Sequence, residues 1–224
     1  MTIINPIKPS LAAHKLLTNL NSSPLQSLFN NIPQDPYIPE GYRYKSLARC
    51  RVKENLIEKQ PHTPLFQNKD INPVNGGLVR VYPEIDNLDA AKEAILLFTN
   101  TFKIDYSYEI LVQAQRTKCT QKNPGITTPE GFHRDAIDFL AIFCVNKDNI
   151  IGAETQLKDN QGNIVFRKVL EPGEILLVDD SKLLHYTSAI NVKNPELDKF
   201  GFRDVLIISS AKGFVNQSPN ATNN

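Results

Sequence analysis

Three features of the sequence predict a mainly β (α+β) protein, a sandwich or jelly roll with helices from the N-terminal half packed outside it. Past residue 109 the chain runs in short apolar stretches, separated by turn chemistry such as Asp159-Asn160-Gln161-Gly162 and Pro172-Gly173. That texture belongs to antiparallel β architectures. Strong helical periodicity occurs where Leu88, Ala91, Ile95, Phe98 and Phe102 recur every three or four positions, predicting a helix over 88–100 with an apolar stripe for the sheet. At 224 residues the chain can bury one substantial core, and a single domain is expected over 1–211, its first 40 residues helical and extended.

Taken in order, Leu11, Leu16, Leu17 and Leu20 fall at roughly helical spacing, and Ser23-Pro24 reads as an N-cap with a first-turn proline. Two short helices are expected there. Pro33, Pro36 and Pro39 then make residues 30–40 an extended wrap. The stretch GYRYKSLARCRV over 41–52 alternates as a strand, with Arg43, Lys45, Arg49 and Arg51 sharing a face with Leu47. A basic face is commonly solvated; the alternative is an arginine that reaches into a site and binds a carboxylate. Residues 54–75 lack a period and read as a long loop able to form part of a lid, with His62, between Pro61 and Pro64, as an exposed turn histidine. Gly76-Gly77 turns into a short strand in which Arg80 reads as structural. Beyond the helix, 109–116, 139–145, 175–178 and 202–209 are strands, and 150–157 with 163–170 form a hairpin. The polar residues 212–224 are expected to be a disordered tail.

Charge and cysteine content remove several function classes. The 25 Lys+Arg against 24 Asp+Glu give a net charge of +1, which offers no general field for nucleic acid or an anionic membrane. Cys50, Cys119 and Cys144 are odd in number and widely separated, suggesting neither a disulfide framework nor a thiolate zinc site. The opening residues lack the regions of a signal peptide, and no apolar run approaches membrane-spanning length. A cytoplasmic location is expected.

The chemistry-bearing stretch is PEGFHRD, residues 129–135. In an extended segment, side chains two apart share a face, so His133 and Asp135 can address one ion. Of the four histidines, His133 and His185 lie in the β-rich part, which makes His185 the leading third ligand. Two imidazoles and one carboxylate suit ferrous iron with open positions, although manganese, cobalt, nickel and zinc accept the same set. A His-x-Asp pattern alone is weak, since a surface loop or a satisfied core histidine is commoner. Arg203 adds to it by sharing a strand face with Val205 and Ile207. A buried guanidinium needs an anion, either in an internal salt bridge with Glu154 or Asp138 or from a bound carboxylate.

The segments PEGFHRDAIDF, NIIGAE, LLVDDSKLLHYTSAI and GFRDVLIIS, in this order, resemble the iron- and 2-oxoglutarate-dependent dioxygenases of the bacterial isoleucine-hydroxylase group. A weaker echo lies in Gly76-Gly77 with Arg80. The resemblance implies a double-stranded β-helix, Fe(II) held by His133, Asp135 and His185, 2-oxoglutarate anchored by Arg203, and dioxygen as oxidant. It also implies a free L-amino acid as the small-molecule substrate, hydroxylated on its side chain or oxidised at sulfur, with release of succinate and CO2. No catalytic side chain beyond the metal ligands is expected, and the carboxylate of Asp135 favours hydroxylation over halogenation. Arg116, which matches a family arginine, is the first candidate for the substrate carboxylate, with Arg134 second; Asp138 and Glu154 are candidates for its ammonium. Two family glycines are replaced, by Ala136 after His-Arg-Asp and by Ala153 after Gly152. The competing readings are a hydroxylase of peptide- or carrier-bound residues and a cupin-like binding protein without turnover.

Overall fold

The computed structural model describes residues 12–16, 22–70, 72–74 and 76–211. Its elements run β1 (Ala12–Leu16), α1 (Ser22–Ser27), β2 (Arg43–Lys53), β3 (Leu56–Lys59), a 3-10 turn (Leu88–Ala91) leading into α2 (Lys92–Phe102), β4 (Glu109–Thr120) and β5 (Phe139–Asp148). They continue with β6 (Ile150–Gly152), β7 (Glu154–Lys158), β8 (Ile164–Val169), β9 (Glu174–Asp179), β10 (Leu184–Thr187), β11 (Ile190–Val192) and β12 (Phe200–Ala211). Seven strands form an antiparallel sheet in the order β1-β9-β5-β12-β4-β2-β3. A second layer holds β10-β7-β8 and the pair β11-β6. The architecture is a jelly roll, the double-stranded β-helix.

Two-residue periodicity sorts the large sheet into two faces. Ala48, Val112, Ala114, Phe143, Leu206 and Ile208 point outward and pack under the helices, against Leu25, Phe29, Ile95 and Phe98. This cluster is the main core. The helix α2 starts behind Asn87, whose side chain accepts a hydrogen bond from the Asp89 N–H, and ends at Lys103 in a left-handed conformation. The inner face carries Leu47, Leu140, Ile142, Val178 and Val205. It also carries Arg43, Lys45, Gln113, Gln115 and Arg203, which line a cavity. Polar side chains at these positions do not serve packing, and they place the site.

The structure departs from expectation in four places. Residues 12–16 form a strand, Ala12 opposite Val178, because the sheet offers a free edge that outweighs a short helical spacing; Leu11, Leu17 and Leu20 lie outside the described residues, as does the tail 212–224. The loop expected over 54–75 begins instead as a hairpin: Glu54 and Asn55, both at positive φ, turn β2 into β3. Strands β10 and β11 were not evident in LLHYTSAINV, where the apolar pattern is short. The basic face of β2 is buried rather than solvated, with Arg43, Lys45 and Arg49 each under 8 % exposed. Arg49 is bound by Glu109 at 2.5 Å, and Arg43 by the buried Asp35 at 2.6 Å.

Candidate active site

His133 forms a single bridged pair with His185 of β10, each backbone N–H donating to the other's carbonyl at 3.1 and 2.9 Å. This pairing joins two segments remote in sequence and sets their imidazoles 4.2 Å apart between ring centroids. Asp135, two residues on, completes the cluster: its Oδ1 is 3.7 Å from His133 Nε2 and its Oδ2 3.7 Å from His185 Nε2. One donor atom from each residue lies within 4.8 Å of the other two. That is the span of three ligands around one ion.

The supporting contacts fix which atoms are presented. Gly131, held at positive φ, turns its carbonyl onto His133 Nδ1 at 2.9 Å. The Oδ1 of buried Asp180 sits 3.1 Å from His185 Nδ1, while its Oδ2 accepts the Asp135 N–H at 2.9 Å. Both Nδ1 atoms therefore face oxygen acceptors, leaving both Nε2 lone pairs for a metal. Burial alone would push the His185 pKa down, but the Asp180 hydrogen bond and the Asp135 and Asp180 charges outweigh it and hold the value above the ordinary one. An anion-rich corner of this kind is complementary to a divalent cation.

Arg203 faces the same cavity from β12, on the strand face shared with Val205, Ile207 and Ser209. It is 4 % exposed, and its Nε and one Nη have no acceptor among the described residues. Neither Glu154 nor Asp138 pairs with it; burial lowers its pKa, and the adjacent polar side chain is the Cys144 thiol. An unpaired buried guanidinium is costly unless an anion arrives to meet it. The donor set and this cation together fit a ferrous ion and a dicarboxylate.

The substrate candidates taken from the sequence fare differently. Arg116 does not line the cavity. Its neighbours Gln113 and Gln115 fix the inner parity of β4, so Arg116 points outward, where it makes a bidentate pair with Asp204 at 2.6 and 2.7 Å and lies over Phe202. Arg134 turns toward Asn160 and the Leu183 carbonyl, as expected for the residue between two inward ones. Glu154 is taken by Gln156 and Arg167, and neither it nor Asp138 lines the cavity. Sequence reasoning missed Lys45, Arg80, Glu130 and Asp180. The first two carried a signal, in the alternation of β2 and in the Gly76-Gly77-Arg80 echo, while Asp180 stood in the acidic turn before His185.

A β-helix with two histidines and an aspartate converging at its mouth defines the class of non-haem iron oxygenases. A model of the 2OG-Fe dioxygenase family matches residues 26–209, and the chain belongs to that family. It is an Fe(II)/2-oxoglutarate-dependent dioxygenase, with Fe(II), 2-oxoglutarate and O2 as its cofactor and cosubstrates. The chain is 23 % identical over 201 residues to the 3(1)-hydroxy-L-isoleucine 4-dioxygenase of Pantoea ananatis (strain AJ13355), covering 84 % of this chain and 80 % of the relative. Similar folds include a bsmA homolog from Methylobium petroleophilum PM1, with TM-score 0.74, 23 % identity and 88 % and 84 % coverage of the two chains. Another is IDO from Bacillus thuringiensis, with TM-score 0.71, 19 % identity and 89 % and 93 % coverage. No helix among the described residues is long and apolar enough to cross a membrane.

Proposed function

We propose that this dioxygenase hydroxylates the side chain of a free L-amino acid, with His133, Asp135 and His185 holding the ferrous ion and Arg203 holding the distal carboxylate of 2-oxoglutarate. The observation that carries the reading is Arg203, a buried cation with no carboxylate partner among the described residues, which lines the cavity shared by the three convergent donors. Iron and 2-oxoglutarate held by these residues would supply the oxidising power for placing one oxygen atom on the substrate, with succinate and CO2 as coproducts.

The side chains position and shield. Gly131 and Asp180 hold the imidazoles by Nδ1, so Nε2 is presented without rearrangement. Asp180 also ties down the backbone of Asp135, coupling two ligands through one carboxylate. Val205, the next residue along Arg203's strand face, and the burial of Arg203 itself give its guanidinium a low-dielectric setting that strengthens its grip on a carboxylate. A free amino acid as substrate is supported by the relative from Pantoea ananatis, whose name describes a dioxygenase of a hydroxylated L-isoleucine.

The test is anaerobic reconstitution with Fe(II), then exposure to air with 2-oxoglutarate and each of the common L-amino acids. One or more should gain the mass of one oxygen with matching succinate. A protein that binds iron and 2-oxoglutarate yet forms no substrate-coupled succinate would be a sensor, and the proposal would be wrong.

A further inference from the structure

The cavity lining is more cationic than iron and 2-oxoglutarate require. Arg43, Lys45 and Arg80 all line the cavity, and all are at least nine-tenths buried. Arg43 has Asp35, yet one of its Nη atoms finds no acceptor among the described residues. Arg80 donates to Gln67 Oε1 at 2.7 Å, has no carboxylate among the described residues, and leaves Nε without an acceptor. The Lys45 ammonium has neither carboxylate nor hydrogen-bond acceptor there, only the face of the Tyr82 ring, 4.9 Å from the centroid. The acids on the cavity are Asp135, assigned to iron, and Glu130.

From this arrangement we infer a cradle for a zwitterion: Arg80 and Lys45, backed by Arg43, take the α-carboxylate of the substrate, and Glu130 takes its α-ammonium. The inference rests on the proposed hydroxylase reading and narrows it. Two uncompensated cations inside a protein are tolerated where a ligand anion completes them. Arg203 lies on β12, whereas Lys45 and Arg43 lie on β2 with β4 between, so the second cationic group is separate from the one assigned to 2-oxoglutarate. The Arg80 backbone pairs with Leu65 at 2.8 Å in both directions, and the segment just after it pairs with β2, Glu84 opposite Leu47. A residue within a peptide, or one carried as a thioester or amide, has no anion to offer this wall. An N-acylated amino acid has no cation for Glu130.

The experiment titrates anaerobic Fe(II)·2-oxoglutarate protein with each common L-amino acid, with its carboxamide and with its N-acetyl derivative. It reads the change in the visible charge-transfer band of the iron–2-oxoglutarate chelate. At least one free amino acid should perturb the band while its two blocked forms do not, and Arg80→Gln should weaken that amino acid by roughly 30-fold or more while leaving the band itself intact. Lys45→Met should weaken it too and raise the melting temperature, since an unpaired buried cation is removed; a lysine with a merely structural role would lower it. Should Arg80→Gln fail to fold, Glu130→Gln and Lys45→Met carry the same test. A carboxamide binding as tightly as its acid, unchanged affinity in the variants, or a chelate that no amino acid perturbs would overturn the cradle. A wild-type protein that forms no chelate would instead overturn the hydroxylase reading.

Discussion

Asp180 is the residue on which the donor geometry turns, because one fully buried carboxylate orients His185 and anchors Asp135 together. Replacing it with alanine should lower iron affinity by about 10- to 100-fold with the far-UV circular dichroism unchanged, as measured by competitive metal titration. Undiminished affinity would show that Asp180 is only a packing residue. At the other end of the metal-binding segment, Ala136 sits at φ 56°, a left-handed conformation that costs a Cβ-bearing residue free energy. It is exposed, so glycine there loses no packing, and Ala136→Gly should stabilise the fold by about 0.5–1 kcal/mol in urea denaturation. Ala153 shares that conformation at φ 59° but is fully buried, and the methyl lost from the core offsets the relief. The two alanines are thus the same backbone constraint met twice, with opposite surroundings.

At the scale of elements, α2 stabilises the sheet from behind and never touches the cavity. Phe98, fully buried among Ile95, Phe143 and the strands, is its central contact, and Phe98→Ala should cost about 3–5 kcal/mol while leaving iron affinity of the folded protein unchanged. A loss of affinity in the folded fraction would mean that helix and site are coupled. This helix, with β4, β5, β9 and β12, was legible because each carries a long apolar pattern of one period. The shorter β1, β3, β10 and β11 were not, since their strand identity comes from partners remote in sequence rather than from their own residues. The convergent cluster of His133, Asp135 and His185 was legible as a His-x-Asp plus one distant histidine. The cavity lining was misread because parity along a strand shows which residues share a face and not which face is inside. Gln113 and Gln115, polar on the inner face of β4, were the clue that would have turned Arg116 outward and the Arg43–Lys45 face inward.

For the whole molecule, the cavity sets stability against binding. Burial, with the neighbouring Arg43 and Arg80 charges outweighing Asp35 and Asp135, pushes the Lys45 pKa down to about 7. Because that lies below the value of a free lysine, about 10.4, the unfolded chain holds more protons over this window and stability should climb with pH across it. Lys45→Met should remove that slope and add about 0.5–2 kcal/mol near neutral pH, measured by denaturant unfolding at several pH values. An unaltered slope would place the titration elsewhere. The central claim concerns the other side of the cavity, where an unpaired guanidinium faces three convergent metal donors. Its direct measure is the dissociation constant of 2-oxoglutarate from the anaerobic ferrous protein, wild type against Arg203→Gln. Loss of roughly 30-fold or more in affinity, with iron still bound, is the predicted result. Equal affinity in the two proteins would contradict the assignment.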